Sequence, residues 1–297
     1  MLADRLKLAR KKAGLSLRDL ADRVVPPVSA QALSKYEAGR MMPSSSVMVG
    51  LARALGISID FLMSGEVAAL DGVEFRRHSA SSAKDRAAVE AIVTERLERI
   101  FSIEDVLGLG APADAFAGLE APDVSSLEAA EQLAKQLREA WDLGSDALPS
   151  LSGLLEDKGI HVIEVELPER VSGMACSARR AGREGSAAVI VVSRQINTER
   201  KRFTLAHEVG HRVIRQVAGD VRLEKAIDRF AGALLVPAEH LRAEVGAVRH
   251  GVAYQEIKRL KHAYGVSASM ILVRMRQLGI LPEHVVDYAF RTHAREW

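Results

Sequence analysis

Apolar positions divide the chain before anything else does. In Leu2–Lys12, the residues Leu2, Leu6, Leu8 and Ala9 share one side of a helix that Gly14 ends. Ser16 is placed to cap a second helix, Leu17–Val24, with Asp19 in its first turn, and Val25-Pro26-Pro27-Val28 breaks it. Ser29 caps a third helix, Ala30–Glu37, closed by Ala38-Gly39. Pro43 and Ser44 lead into Ser45–Leu55, which Gly56 terminates, and Ile57–Met63 reads as a short fifth helix. Farther along, Ala83–Leu107 repeats apolar residues at Val89, Ile92, Val93, Leu97, Ile100 and Phe101, close to the period of an α-helix. Gly108–Pro122, rich in Gly, Ala and Pro, reads as a linker, and Leu127–Trp141 and Leu148–Lys158 as helices.

Strand signals are confined to one stretch. Ile160–Val165 is short and β-branched, and Val171–Ala178 and Ala187–Ser193 flank the Gly-rich turn Ala181-Gly182-Arg183-Glu184-Gly185 as in a hairpin. If either hairpin strand forms a sheet edge, an extended peptide can add to it through backbone hydrogen bonds. After Asn197 the helical period returns in Glu199–Val217, Leu223–Val236, Val252–Tyr264 and Ser267–Leu278. No internal repeat or low-complexity tract appears. The expected class is α+β, mostly α.

Composition narrows the picture. A chain of 297 residues, 48% apolar and 27% charged, suits about two globular domains and excludes collagen-like, coiled-coil and disordered classes. No apolar run approaches the roughly 18 residues of a membrane span, and the N-terminus lacks an apolar signal core. Cys176 is the only cysteine, so neither a disulfide framework nor a Cys-rich zinc site is available. A reduced, cytoplasmic protein is expected. Charge is unevenly spread: residues 1–65 carry ten Lys or Arg against five Asp or Glu, residues 66–150 eight against 17, and residues 151–297 23 against 17. A basic head, an acidic connector and a basic second half suggest separate tasks, one of them toward nucleic acid.

The sharpest chemical signal is His207-Glu208-Val209-Gly210-His211. Residues four apart lie on one face of a helix, so both imidazoles can meet one ion. Glu208 falls beside them, where a base acting on water belongs. With nine His and 24 Glu in the chain, the pattern arises by chance about 0.02 times. Catalytic zinc needs a third protein ligand and an open position. Glu224 supplies the ligand, and Asp228, four residues on, is spaced to accept the second N–H of a ligand histidine. Glu239 and His240 are alternatives for the third ligand, but lie beyond Pro237. Two His and one Glu would also accept manganese or iron. The expected reaction is water attack on a peptide carbonyl with Glu208 shuttling the proton. Tyr254, His250, Tyr264 and Arg202 are candidate transition-state donors, each more often a packing or surface residue. Cys176, on the hairpin, reads as a small core residue rather than an inhibitory thiolate.

The segments Arg202-Phe203-Thr204-Leu205-Ala206-His207-Glu208-Val209-Gly210-His211 and Glu224…Asp228-Arg229-Phe230-Ala231-Gly232-Ala233-Leu234-Leu235-Val236-Pro237 resemble the ImmA/IrrE family of zinc metallopeptidases over about residues 125–245. The resemblance implies a small gluzincin-like fold with a short β-sheet against the metal helix. It implies zinc on His207, His211 and Glu224, and Glu208 as the catalytic base. Family members typically cleave or otherwise relieve a helix-turn-helix repressor, often in stress responses. Many relatives carry a further Glu where this chain has Ala226; the spacing to Asp228 favours Glu224.

The N-terminal pattern, from Leu17-Arg18-Asp19-Leu20-Ala21 through Ser29-Ala30-Gln31-Ala32-Leu33-Ser34-Lys35-Tyr36-Glu37-Ala38-Gly39-Arg40, resembles the XRE/Cro-type helix-turn-helix. That resemblance implies an all-α DNA-binding domain whose third helix enters the major groove. Leu33 and Tyr36 are expected in its core. Gln31, Ser34 and Lys35 are expected at base edges, and Arg10, Lys11, Lys12, Arg18 and Arg40 at phosphates. The Val25-Pro26-Pro27-Val28 turn is about two residues longer than relatives use, which bears on the angle of the third helix.

The expected organisation is a helix-turn-helix domain over residues 1–66, an acidic helical connector and linker over 67–122, an ImmA/IrrE-like zinc metallopeptidase domain over 123–245, and a C-terminal helical extension packed on it over 246–297. The expected partners are double-stranded operator DNA, a protein substrate of helix-turn-helix type or the chain itself, and a second copy, with Ala83–Leu107 as a dimerisation or spacer helix. The alternative is a non-catalytic regulator or antitoxin-type autorepressor whose metal domain senses or binds.

Overall fold

The computed structural model of the protein describes residues 2–63, 65, 67–75, 83–110, 114–117, 119, 123–167, 171, 173–183 and 185–293. Part of the expected linker (residues 111–113, 118 and 120–122) and Glu184 of the hairpin turn lie outside the described residues. The chain forms two compact units, Met1–Pro112 with Ile163–Val191, and Ala113–Val162 with Val192–Trp297.

The first unit begins with five short helices, α1 (Leu2–Lys12), α2 (Leu17–Ala21), α3 (Ala30–Glu37), α4 (Ser45–Leu55) and α5 (Ile59–Met63). Their starts are fixed locally: Ser16, Ser29 and Ser44 each accept a backbone N–H from the first turn, and Ser16 and Asp19 form a reciprocal capping box. Leu6, Leu20, Leu33, Leu51 and Leu62 close over one another as the core. Helix α2 stops at Ala21, short of the expected Val24. Val24 is buried beside α4, and the residue before Pro26 is biased away from helical backbone. The long Val-Pro-Pro turn fits because Gly50 has no side chain; a Cβ there would stand 2.2 Å from the Val25 carbonyl oxygen.

Two elements of the connector join this unit. Strand β1 (Val67–Phe75) is one that the apolar pattern does not announce, and α6 (Ala83–Val106) follows it. With β2 (His161–Val165), β3 (Gly173–Arg180) and β4 (Ala187–Ser193) they give a four-stranded sheet in the order β1-β3-β4-β2. Strands β1 and β3 run antiparallel, with breaks in register between Val67 and Ala69 and between Asp71 and Glu74. Val89, Val93, Leu97 and Phe101 of α6 pack on Met174, Cys176, Val189 and Val191 of the sheet. Helix α6 is also tied to α1: Arg5 and Glu98 form a buried ion pair, Glu98 accepts the Val67 N–H at 2.8 Å, and Lys12 pairs with Glu95.

The sheet order corrects one expectation. Both β3 and β4 are interior strands with partners on each side, so neither presents an edge to which a peptide can add.

The second unit is helical: α7 (Leu127–Ala140), α8 (Leu151–Asp157), α9 (Thr198–Val213), α10 (Leu223–Leu235), α11 (Ala238–Val245), α12 (Tyr254–Tyr264), α13 (Ala268–Gln277) and α14 (Glu283–His293). Helix α9 ends four residues before the expected Val217 because the next segment turns extended and bridges Val124, whose N–H donates to the Gln216 carbonyl at 3.2 Å. Three helices are stapled by charge. Glu131 of α7 takes Arg274 of α13 at 2.7 and 3.0 Å and Arg229 of α10 at 2.6 Å, while Arg274 Nε donates to the Val236 carbonyl. Arg274 is 1% exposed. Burial lowers its pKa, which Glu131 partly opposes. Burial also pushes the Glu131 carboxyl up, but the two guanidiniums outweigh that and hold it below the ordinary carboxylate range. Arg138 donates to the Leu234, Gly144 and Asp146 carbonyls and closes the turn after α7.

Candidate metal centre

Helix α9 carries the two histidines one turn apart. Asn197 caps its start by accepting the Arg200 N–H, and most of its second half is enclosed: Leu205, Ala206, Val209 and Val213 are buried, and His207 and Glu208 are each only 1% exposed. Helix α10 crosses close to α9 at Gly210. A Cβ there would lie 2.8 Å from Ile227 Cγ2 and 3.2 Å from Phe230 Cδ1. The missing side chain lets α10 approach, and α10 brings Glu224 and Asp228 to the histidines.

The resulting geometry is convergent. His207 Nε2 and His211 Nε2 are 3.2 Å apart. Glu224 places one carboxylate oxygen 3.4 Å from His207 Nε2 and the other 3.8 Å from His211 Nε2. Suitable donor atoms of all three residues lie within 4.8 Å of one another, and among the described residues no other His, Cys, Asp or Glu group does so. Ligands about 2.05 Å from a tetrahedral zinc stand about 3.3 Å from each other, so this donor set fits such an ion. On its other side, His207 Nδ1 lies 2.8 Å from Asp228 Oδ1. A proton on Nδ1 donated to that carboxylate leaves the Nε2 lone pair facing His211 and Glu224. The Phe203 ring, one turn before, lies 6.3 Å from the His207 ring.

The alternatives for a third ligand are engaged elsewhere. Glu239 pairs with Lys135 at 2.8 Å, and His240 Nδ1 lies 2.6 Å from the Tyr264 hydroxyl. Two of the transition-state candidates are likewise structural. Tyr264 is buried, and burial raises its hydroxyl pKa strongly. Arg202 is buried and donates to the Leu148 and Pro149 carbonyls, and burial lowers its pKa. Tyr254 stands half-exposed at the first position of α12, and His250 lines a surface hollow with His284 and Asp287. Cys176 is buried in the core between α6 and the sheet. The contribution of Gly210 was not legible beforehand, because in the motif it occupies a position open to any residue.

In the N-terminal helices, Gln31, Ser34 and Lys35 are exposed on one face of α3, opposite the buried Leu33 and Tyr36. Arg18, Lys11 and Arg40 are exposed as well. Two of the expected phosphate contacts are not available in that form. Arg10 is half-buried and grips Glu37 with two bonds of 2.6 and 2.7 Å while donating to the Leu15 carbonyl, and Lys12 is paired with Glu95. These cations hold helices together, because each faces a carboxylate inside the unit.

Comparison with known proteins gives two family matches. Residues 6–62 match the helix-turn-helix family, and residues 155–276 match the IrrE N-terminal-like domain of the M78 peptidases. The second match contains both helices of the candidate metal centre. A prophage-derived HTH-type transcriptional regulator of Bacillus subtilis, YonR, is 35% identical over 71 residues, which is 24% of this chain. The match spans 64% of that relative's own length.

Proposed function

We propose that this chain, which joins an XRE-type helix-turn-helix segment to an IrrE/ImmA-like M78 domain, is a DNA-binding transcriptional regulator that cleaves a regulatory protein at a zinc-dependent endopeptidase centre. The observation that supports the reading is the convergence of His207 Nε2, His211 Nε2 and the Glu224 carboxylate, with Asp228 holding His207 from behind.

When bound there, a zinc ion supplies Lewis acidity to a scissile carbonyl and acidifies water. Asp228 keeps the His207 proton on Nδ1 and so fixes the ring that presents Nε2. Glu208, next to His207 and buried, takes the proton released by the attacking water and returns it to the departing amine nitrogen. At the other end, Gln31, Ser34 and Lys35 reach base edges while Arg18 and Arg40 set position on the phosphates. A second copy on a two-fold operator completes this arrangement.

The test is to incubate the purified, zinc-loaded chain and its Glu208→Gln variant with neighbouring helix-turn-helix proteins and with a fresh copy of the chain. Cleavage by wild type alone, at equal zinc content, supports the peptidase. Equal zinc with no cleavage by either supports a regulator that binds metal without turnover.

A further inference from the structure

A cavity of about 720 Å³ opens in the second unit, walled by α7, α9, α10 and α13. That volume lies within the range of small-molecule sites. Its apolar wall is Phe203, Met270 and Val273, and Arg200, Lys225 and Arg276 line it as cations.

The charges in the wall do not cancel. Of the acidic lining groups, Glu199 is paired with Lys261 at 2.9 Å, while the Asp228 carboxylate, 2.8 Å from His207 Nδ1, keeps its negative charge. Arg229 and Arg274, also in the wall, share the single carboxylate of Glu131 and keep one positive charge between them, which offsets Asp228. Among the described residues, Arg276 has only Asp287, at 3.8 Å. Arg200 and Lys225 have no carboxylate within ion-pairing reach among the described residues. The first turns of α9 and α13 border the same space, so their dipoles add to the same sign. An apolar wall under an uncompensated positive rim complements a ligand with an apolar body and one anionic end.

We propose that this cavity is a binding site for a small organic anion, a carboxylate or phosphate carried on an apolar body. Two of its walls touch the candidate metal centre: Phe203 packs beside the His207 ring, and the Asp228 carboxylate is the acceptor from His207 Nδ1. An occupant is therefore sensed at His207, which makes the site a regulatory input. Binding itself does not depend on whether the metal centre turns over.

The experiment is isothermal titration of the full chain with octanoate, octyl phosphate and octanol. The anions bind with an affinity that falls as salt rises, and octanol binds at least tenfold more weakly. Tighter binding of octyl phosphate than of octanoate assigns the head group as phosphate. Arg200→Glu with Lys225→Glu, both exposed, weakens octanoate by about tenfold or more with thermal stability unchanged. Met270→Trp, which fills the cavity, abolishes binding of all three. Failure of both anions to bind, equal affinity for octanol, or indifference to both variants would overturn the proposal.

Discussion

Gly210 of α9 and Ile227 of α10 approach so closely that a Cβ on the glycine would stand 2.8 Å from Ile227 Cγ2. This contact sets the distance between the helix that carries His207 and His211 and the helix that carries Glu224 and Asp228. Gly210→Ala gains about 1 kcal/mol of helix propensity but overpacks the crossing by about 1–3 kcal/mol. The expected result is a net loss of stability of about 1 kcal/mol in denaturant unfolding and at least tenfold weaker zinc binding in a chelator competition. Ile227→Ala in the same chain recovers part of the zinc affinity. Unchanged zinc affinity in the single variant contradicts this role.

Asp228 touches no ion in the proposed centre, yet it holds His207 Nδ1 at 2.8 Å. Asp228→Asn removes the charged acceptor and lets the imidazole choose the wrong tautomer. Zinc affinity is expected to fall about 10–100-fold, while the unfolding midpoint of the metal-free chain moves little, because the carboxylate is half-exposed. Chelator competition and metal-free melts on one preparation separate the two effects.

Glu131 joins α7 to Arg229 and Arg274, and Arg274 is left buried without a counter-charge when Glu131 is changed. Glu131→Gln is expected to cost about 2–3 kcal/mol, toward the low end for a broken buried pair because Glu131 keeps some exposure. Its carboxyl is held below the ordinary 4.5, so the folded state binds this proton less readily than the unfolded chain. The contribution is complete above the ordinary value and is lost as pH falls through the depressed one. Unfolding measured from pH 7 to 3 is expected to show this acid loss in wild type and less of it in Glu131→Gln.

The cations of the N-terminal helices divide into two kinds. Arg18 and Arg40 are exposed, and replacing either by Ala is expected to weaken operator binding and lower the salt slope by about one. Arg10 is locked to Glu37, and Arg10→Ala is expected to lower the melting temperature and leave the salt slope of the folded protein unchanged. Binding titrations at several salt concentrations distinguish the two.

What was legible in the sequence is mostly what local chemistry determines. Ser16, Ser29, Ser44, Asn197 and Ser267 cap helices through bonds to residues three positions away, so their helices could be placed closely. The histidine pair was legible because four residues make nearly one turn. Strand β1 was not: Ala68, Asp71 and Gly72 give it no alternation, and it is a strand because β3 pairs with it about 100 residues later. Helix α11 was not separately legible, because it is only eight residues long and buries only Leu241 and Val245. The buried Arg138, Arg229 and Arg274 were hidden for a related reason, since an arginine reads as surface until distant acceptors enclose it.

The central claim is that His207, His211 and Glu224 hold one catalytic ion. Its most direct measurement is zinc per chain, by elemental analysis of the full chain purified under identical conditions. The account predicts one zinc in wild type and in Glu208→Gln, and little in His207→Ala with His211→Ala or in Glu224→Ala. Zinc retained when both histidines are gone, or absent from the wild type after reconstitution, would contradict it.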